Sequence, residues 1–257
     1  MAANDRVFGQ HAVEALLSRC PERVRELRVQ ADRGDGRMRG LLERAAQAGV
    51  TVQPVARREL DALAGKVRHQ GVMATITPMT PLGEGDLPDM LMALERRGTV
   101  PLLLVLDGVT DPHNLGACLR TADGAGVTAV IAPRDRAAGL TPVVRKVASG
   151  AADTVPFIQV TNLARTLDLL KTFNLWIVGT CGQADTVLYD ADLAGPTALV
   201  LGAEGKGMRR LTQDRCDVLV QLPMLGQVDS LNVSVAAGVC LYEAVRQRRI
   251  ASPVPNG

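Results

Sequence analysis

The chain has 257 residues, of which 47% are hydrophobic and 22% charged, and this composition is typical of a globular protein with one or two domains. Its few aromatic residues disfavour an RNA-binding protein that stacks bases on Phe or Tyr. The formal net charge of +2 argues against a highly basic nucleic-acid coat protein. Only four of the 29 basic residues are lysines. Guanidinium groups match phosphate oxygens, although a coding bias toward arginine would produce the same excess.

The cysteines and the amino terminus indicate a cytoplasmic protein with free thiols. The five cysteines are scattered, odd in number and without a CxxC pair, which excludes a disulfide framework or a zinc site. The first ten residues lack the basic segment and apolar run of a signal peptide. No apolar stretch reaches about 18 residues, so no membrane span is predicted.

The charge pattern divides the chain near residue 78. The first 78 residues carry 13 basic and 9 acidic side chains, giving +4, and the remaining residues carry 16 and 18, giving −2. Residues 77–88 are rich in Pro and Gly and lack apolar periodicity, which is typical of a linker. We therefore predict a first domain over 1–76, a linker over 77–88 and a second domain over 89–257.

The first domain alternates helical and strand-like stretches, which predicts a small α/β sandwich. Apolar residues at helical spacing and short apolar runs between turns distinguish the two kinds of element. The predicted helices span residues 9–18, 37–48 and 57–63, and the predicted strands span residues 27–29, 50–52 and 71–76.

The second domain contains continuous apolar strands alternating with helices, which predicts a parallel sheet covered on both faces. Ligands of such sheets bind beyond the carboxyl ends of the strands, so the loops after residues 106, 202 and 222 are the candidate sites. A long helix over 231–248 precedes a tail, 251–257, that is predicted to be disordered. The predicted strands span residues 102–106, 129–132, 155–160, 175–178, 198–202 and 218–222.

The first candidate loop, DGVTDPHNLGACLR over 107–120, ends in a helix. Asn114 is of a residue type that caps helix amino termini, and this alone would explain it. Arg120 follows within two turns, where its charge opposes the helix dipole, so a bound anion would explain its position better than helix stability. A surface role is the alternative. Metal ligation by Asp107, Asp111 and His113 is disfavoured by their short spacing across a proline.

The second candidate loop, LGAEGKGM over 201–208, places three glycines after a strand, which lets a ligand approach the backbone closely. Its spacing matches neither the dinucleotide fingerprint nor the Walker loop. Glu204 lies in this turn, where its carboxylate can be held near a ligand. A plain tight turn is the alternative interpretation.

The third candidate loop, LPMLGQVDSLNVS over 222–234, opens the long terminal helix. Ser230 or Asn232 is a suitable amino-terminal cap, which is the simplest interpretation. Together with Ser234 they are more polar than a cap requires, and helix starts favour anionic ligand groups. No Ser-His-Asp arrangement is indicated.

Taken together, the three loops resemble the motifs of the SpoU (TrmH-type) branch of the SPOUT methyltransferases. The stretches that carry the resemblance are DPHNLGACLRTA at 111–122, LVLGAEGKGM at 199–208 and LPMLGQVDSLNVSVAAG at 222–238. In addition, VFGQHAVEALL at 7–17 and HQGVMATI at 69–76 resemble the amino-terminal RNA-binding domain of one bacterial subgroup. That subgroup methylates a guanosine 2′-hydroxyl in 23S ribosomal RNA.

The resemblance implies a fold, a cofactor and partners. The second domain would be an α/β SPOUT domain with a deep trefoil knot near its carboxyl end, and the first a small L30e-like α/β domain. The donor would be S-adenosylmethionine, and no metal would be needed. The enzyme would act on 23S ribosomal RNA as a homodimer whose active site uses both subunits.

The resemblance also assigns roles to individual residues. The catalytic positions would be Asn114, Arg120, Glu204, Ser230 and Asn232. Arg120 is the proposed activator of the ribose hydroxyl. Because a guanidinium is normally protonated, it would do so in an altered state, or else it would clamp the RNA phosphate and stabilise the developing alkoxide. Backbone groups around Gly202, Leu222 and Leu231 would hold the adenosine part of the cofactor, with Thr180 at the edge of the adenosine.

Two alternatives remain open at the level of the sequence. The same chemistry could act on transfer RNA or on another nucleotide of ribosomal RNA. A SPOUT-like protein that binds RNA or cofactor without catalysis is the other possibility, which the presence of all five active-site side chains disfavours.

Overall fold

Two units, each with its own sheet, make up the computed structural model, which describes residues 5–32, 35–65, 67–77 and 82–251. The first unit comprises Met1–Thr80 and the second Pro81–Gly257. The tail predicted to be disordered lies outside the described residues, apart from its first residue, which ends the terminal helix.

The first unit is a four-stranded mixed sheet in the order β1-β4-β2-β3, in which β2 and β3 are parallel and the other pairs antiparallel. Three helices connect the strands. The strands are β1 (Asp5–Phe8), β2 (Val24–Gln30), β3 (Thr51–Val55) and β4 (Val72–Ile76), and the helices are α1 (Gln10–Arg19), α2 (Gly36–Gln47) and α3 (Arg57–Ala64).

All six elements predicted for the first unit are present, and one strand was missed. Helix α2 begins where Asp35 accepts a hydrogen bond from the Met38 amide at 2.9 Å, and it buries Met38, Leu41 and Ala45 at helical spacing. The missed strand, β1, is only four residues long and carries two charged residues, so no apolar run announced it.

The second unit contains a seven-stranded sheet in the order β7-β6-β5-β10-β8-β11-β9, and every pairing in it is parallel. All six predicted strands are present, and the parallel arrangement is confirmed. The seventh, β9, has two residues and was too short to predict. The strands are β5 (Leu102–Asp107), β6 (Ala129–Pro133), β7 (Phe157–Val160), β8 (Trp176–Thr180), β9 (Thr186–Val187), β10 (Thr197–Gly202) and β11 (Val218–Gln221).

Helices cover both faces of this sheet, and the sheet separates the core into two clusters. Successive side chains of a strand point to opposite faces, so Leu102, Leu104 and Leu106 of β5 lie in one cluster and Leu103 and Val105 in the other. The helices are α4 (Leu87–Arg96), α5 (Pro112–Gly124), α6 (Pro142–Ala148), α7 (Ala151–Thr154), α8 (Leu163–Thr172), α9 (Arg210–Gln213) and α10 (Val233–Ala251).

The carboxyl part of the predicted linker is structured. Residues 78–81 of it lie outside the described residues, but Gly83 forms a bridge with Gln159, beside β7. Glu84 accepts hydrogen bonds from the Thr161 amide at 3.0 Å and from Arg165 at 2.9 Å. Leu87 is fully buried at the start of α4. These contacts use scattered apolar and acidic residues that show no periodicity in the sequence.

Candidate active site

Three polar loops leave neighbouring strands at one edge of the large sheet. The strands β5, β10, β8 and β11 are adjacent and parallel, so their carboxyl ends lie together. The loops after β5, β10 and β11 contain the three motifs, and the sheet therefore brings them to the position where ligands of open α/β sheets bind.

The first loop ends at α5, whose cap differs from the predicted one. Asp111 accepts a hydrogen bond from the His113 amide at 3.0 Å, and Pro112 occupies the first helical position. The prediction that Asn114 caps this helix was therefore wrong, because the Asp-Pro pair starts the helix earlier. Asn114 lies in the first turn instead, and its amide nitrogen donates to a Glu204 Oε1 at 2.8 Å.

The second loop folds back on the end of β10. The Ala203 amide donates to the Gly207 carbonyl at 3.1 Å, and the Gly207 amide donates to the Ala203 carbonyl at 2.8 Å. A Cβ atom on Gly202 would lie 2.1 Å from the Gly207 carbonyl carbon and from the Met208 nitrogen. Glycine at position 202 thus permits this close turn, which presents Glu204 to solvent.

The third loop ends at Asn232, which caps α10. Its Oδ1 accepts hydrogen bonds from the amide of Ser234 at 2.9 Å and from the hydroxyl of Ser234 at 2.6 Å. Of the two predicted candidates for this cap, Asn232 is confirmed and Ser230 is not the cap. The helix consequently starts at Val233, two residues later than predicted.

Glu204 joins the three loops. Its Oε1 accepts from the Asn232 amide nitrogen at 2.6 Å, from the Asn114 amide nitrogen at 2.8 Å and from the Val233 amide at 3.4 Å. The Asn232 nitrogen also donates to the Asn114 Oδ1 at 3.0 Å. Hydrogen bonds to a charged carboxylate are stronger than neutral ones, so this network fixes the orientation of both amides.

The structure brings together three of the five predicted catalytic residues. Arg120 lies six residues after Asn114, about 9 Å farther along the helix axis. It is exposed, and it makes no hydrogen bond or ion pair with the described residues. It is beyond the first turn of α5, so the argument from the helix dipole was wrong. Ser230 is also exposed and lies outside the network.

The predicted cofactor residues lie along the same edge. Thr180 ends β8, and its hydroxyl donates to the Val200 carbonyl at 3.3 Å. Gly202 ends β10, Leu222 follows β11 and packs partly against the core, and Leu231 is partly exposed beside the network.

The backbone at this edge suits a purine nucleoside such as that of S-adenosylmethionine. Between residues 222 and 231, the amides and carbonyls make no hydrogen bond with other backbone groups of the described chain. They remain available for the edge of an adenine and for ribose hydroxyls. A Cβ on Gly182 or on Gly226 would meet nothing within 4 Å, so there is open space at the loops after β8 and β11.

Asp107 is a residue of this edge whose role the sequence did not reveal. It ends β5, and its side chain is fully buried. Its Oδ2 accepts from the Arg209 amide at 2.8 Å, and its Oδ1 lies 3.4 Å from the Arg209 Nε. A charged residue directly after five apolar strand residues was the available signal. Asp107 thereby anchors the far end of the second loop, residues 203–209, which we call the Glu204 loop.

Cysteine chemistry is excluded at one position beside the network. Cys118 is buried on the inner face of α5, and this burial, together with the negative charge of Glu204, raises the pKa of its thiol to about 12. The thiol is therefore protonated at neutral pH and cannot serve as a nucleophile.

The described residues contain neither a candidate membrane span nor a candidate metal-binding cluster. In the described part of the chain, no helix combines the length and apolar character that a membrane span requires. No group of three or more histidine, cysteine or acidic side chains among those residues could hold a metal ion.

Comparisons with known proteins assign the chain to a family. The model of the SpoU rRNA methylase family matches residues 101–242, and the model of the RNA 2′-O ribose methyltransferase substrate-binding domain matches residues 6–82. The first match covers more than half of the chain and contains all three loops. The chain therefore belongs to the SpoU rRNA methylase family.

Individual relatives match the chain over nearly its whole length. It is 58% identical over 248 residues to the 23S rRNA (guanosine-2′-O-)-methyltransferase RlmB of Pseudomonas aeruginosa, covering 96% of this chain and 98% of the relative. It is 53% identical over 245 residues to RlmB of Escherichia coli K12, covering 95% and 99%. Among solved structures, the SpoU methyltransferase AviRb of Streptomyces viridochromogenes in complex with AdoMet has a TM-score of 0.68 at 25% identity, covering 98% and 92%.

Proposed function

We propose that this protein transfers the methyl group of S-adenosylmethionine to the ribose 2′-hydroxyl of a guanosine in 23S ribosomal RNA. The observation that carries the proposal is the hydrogen-bonded network of Asn114, Glu204 and Asn232, which unites three loops at the carboxyl edge of a parallel sheet. Membership in the SpoU family and the RlmB relatives support the reaction and the substrate.

The reaction needs an activated hydroxyl and a positioned methyl donor. A ribose 2′-hydroxyl is a weak acid, and it must lose its proton to water as its oxygen attacks the methyl carbon. The carbon–sulfur bond breaks as the carbon–oxygen bond forms, and its electron pair stays on the sulfur of S-adenosylhomocysteine. When bound, S-adenosylmethionine supplies a methyl group made electrophilic by the positive sulfur. The side chains of Asn114 and Asn232 are held rigidly enough to orient the ribose beside that methyl group, and in-line positioning supplies much of the rate.

Arg120 is the residue we assign to the developing alkoxide. Its guanidinium is exposed and is not engaged with other described residues, so it is free to bind an RNA phosphate and to stabilise negative charge on the attacking oxygen. Ser230, exposed at the end of the third loop, would contact the ribose or phosphate of the same nucleotide.

The proposed cofactor seat uses the backbone of the two loops after β10 and β11. Groups around Gly202, Leu222 and Leu231 would bind the adenosine moiety, with Thr180 at its edge. We further propose that the segments 202–207 and 222–232 form the knotted part of the domain. The backbone groups of residues 222–231, which have no backbone partner in the described chain, and the open space at Gly182 and Gly226 support the cofactor assignment.

A homodimer would complete the site, because the network and Arg120 are separate within one chain. The outer face of α10 presents Val235 and Tyr242, seven residues apart and each about half exposed, and Leu225 and Val228 are exposed in the preceding loop. Large apolar side chains exposed together mark an association surface. Pairing through this face would bring Arg120 of one protomer toward the loops of its partner.

The first unit would bind the RNA substrate in the cytoplasm. Its basic balance and the match to the substrate-binding model support this role. Phosphate and shape contacts, rather than base stacking, suit a unit that is poor in aromatic residues.

The test is transfer of tritium-labelled methyl groups from S-adenosylmethionine to 23S RNA transcribed without modifications. We expect label in one 2′-O-methylguanosine. Label in transfer RNA or in another ribosomal nucleotide would favour the substrate alternative. Binding of RNA or cofactor with no transfer at any salt concentration would overturn the enzymatic proposal.

A further inference from the structure

A second group of cations borders the active-site edge, on the loop between β6 and α6. Residues 134–141 form this loop, which we call the β6 loop. Arg134 and Arg136 are both exposed, and in the described part of the chain neither side chain has a hydrogen-bond or ion-pair partner. None of the three family motifs includes this loop.

The β6 loop is held firmly at its base while its cations face solvent. The Arg134 amide donates to the Val160 carbonyl at 2.8 Å, and the Ala138 amide donates to the Val109 carbonyl at 2.8 Å. Ala138 is buried. Between these anchors Arg136 has a φ of 56°, in the left-handed region that costs energy for a residue with a Cβ. The backbone of the loop is thus anchored on both sides of Arg136, and both arginine side chains extend from it into solvent.

The β6 loop lies against the Glu204 loop. A Cβ atom on Gly108 would lie 3.9 Å from the Arg136 carbonyl oxygen and 3.8 Å from the Arg209 Nη2, so both loops reach the same point just after β5. Strand β6 neighbours β5, and adjacent strands are about 4.8 Å apart. Arg134 and Arg136 are therefore close neighbours of the edge at which the ribose would lie.

The charge of this rim is predominantly positive. Lys206 on the Glu204 loop and Arg210 at the start of α9 are also exposed and have no ion-pair partner among the described residues. Of the acidic residues nearby, Glu204 is engaged with the two asparagines and Asp107 is buried against Arg209. Asp111, Asp135 and Asp229 are exposed acidic residues at the same edge, and Asp111 caps α5. A set of unpaired guanidinium and ammonium groups beside a ribose site matches the phosphates of a nucleic-acid strand.

We propose that Arg134 and Arg136 of the β6 loop bind the RNA backbone beside the target nucleotide, so that the catalytic unit itself holds part of the substrate. This inference rests on the proposed function, because it assumes an RNA substrate at the carboxyl edge. These contacts would be with phosphates and would not depend on the identity of the bases. They would position the target ribose at the active site before methyl transfer.

The test compares the double variant R134E/R136E with R96E/R97E in the full-length protein. Arg96 and Arg97 are adjacent exposed arginines at the end of α4, just before the amino end of β5, so they provide a charge-matched control at the opposite edge. Affinity for unmodified 23S RNA transcript is measured at several salt concentrations, together with affinity for S-adenosylmethionine and the kcat and KM of transfer.

We expect R134E/R136E to weaken RNA binding by at least about 10-fold relative to R96E/R97E. The slope of log Kd against log salt concentration should also fall by about one to two. The KM for RNA should rise, while cofactor affinity and kcat at saturating RNA stay near those of the wild type. Equal RNA affinity and salt dependence in the two variants would overturn the inference, as would a parallel loss of cofactor binding.

The milder variant R134Q/R136Q keeps the test decisive if charge reversal prevents folding. It should still lower the slope of log Kd against log salt concentration by about one. Failure of the proposed function is distinguishable, because the wild type would then transfer no methyl group to the transcript. The RNA affinities of the variants test the inference separately from transfer.

Discussion

At the carboxyl edge of the seven-stranded sheet, amide and carboxylate side chains from three loops bind one another, whereas the amino edge carries an open groove beside Trp176. Trp176, Thr197 and Val218, the first residues of β8, β10 and β11, line that groove. The two edges belong to the same strands, yet their polar groups are connected differently.

The difference lies in the groups that the side chains bind. At the carboxyl edge the side chains of Asn114, Glu204 and Asn232 bind one another. At the amino edge side chains bind backbone groups: the Asp192 carboxylate accepts from the amide of Ala194, and Arg248 donates to the carbonyls of Pro101 and Gly195. Bonds to the backbone stabilise turns and helix ends, whereas bonds between side chains of distant loops build a preorganised site. The five predictions below test this contrast.

The largest effect is expected for Arg120→Ala. Loss of the group assigned to the alkoxide should lower kcat for methyl transfer by at least about 100-fold, with cofactor affinity nearly unchanged. Single-turnover transfer and cofactor titration measure the two quantities. Arg96→Ala is the control at the opposite edge. Weak cofactor binding in the Arg120→Ala variant would contradict the role assigned to Arg120.

Gly202→Ala should weaken cofactor binding by about 10-fold or more. The added Cβ would overlap the Gly207 carbonyl carbon and the Met208 nitrogen, so the turn after β10 must open. Calorimetric titration with S-adenosylmethionine measures the loss. Gly182→Ala is the matched control, because its Cβ has open space at the same edge. Equal affinities in both variants would contradict the assigned seat.

Glu204→Ala should lower kcat by about 10-fold, and Glu204→Gln by less, because an amide oxygen still accepts hydrogen bonds from the asparagines but without charge assistance. The informative result is a lower kcat for Glu204→Ala than for Glu204→Gln. An inverted order would mean that the carboxylate acts by its charge on the substrate and not by orienting the loops.

Glu84→Gln tests whether long sequence separation alone marks a site. Glu84 bonds the Thr161 amide and Arg165, which lie 77 and 81 residues away, and these hydrogen bonds hold the pKa of its carboxyl below the ordinary 4.5. We expect the variant to lose about 1 kcal/mol of unfolding free energy at neutral pH, with methyl transfer unchanged.

The sign of the pH dependence follows from the lowered pKa. The stabilisation by ionised Glu84 is fully present above the ordinary pKa and is lost as pH falls through the folded-state pKa. Denaturant unfolding should therefore show the wild type and Glu84→Gln converging in acid. A constant difference down to low pH would contradict the assignment.

The smallest effect is expected for Trp176→Phe at the amino edge. Trp176 is about half exposed at the start of β8, and it makes no side-chain hydrogen bond with other described residues. Transfer rate and cofactor affinity should stay within about twofold of the wild type. A tenfold lower transfer rate or cofactor affinity would contradict the assignment of the active site to the carboxyl edge alone.

The apolar pattern was sufficient for the sheet but not for the details of its edges. Runs such as Leu102–Asp107 are buried throughout, so their strands and their parallel order could be predicted. The shift of Asn114 from cap to side-chain donor could not, because it depends on whether Asp111 or Asn114 starts α5. The motifs identified Glu204, but only the folded loops show from which groups its Oε1 accepts hydrogen bonds.

Asp107 and the β6 loop were missed for a related reason. Each depends on a partner brought close by folding: Arg209 lies 102 residues from Asp107, and the β6 loop is positioned by Val160 and Val109. Isolated charged residues in a sequence have many interpretations, and only tertiary contacts choose among them.

The burial of Asp107 has a consequence for how the cofactor enters and leaves. If the Glu204 loop lifted from the sheet, the Asp107 carboxylate would remain buried without Arg209, and an unpaired buried charge costs several kcal/mol. We therefore expect the loop to stay closed on β5 during turnover and the cofactor to exchange on the side of residues 222–231. Cofactor association should then be a single fast phase, since no slow loop opening precedes it.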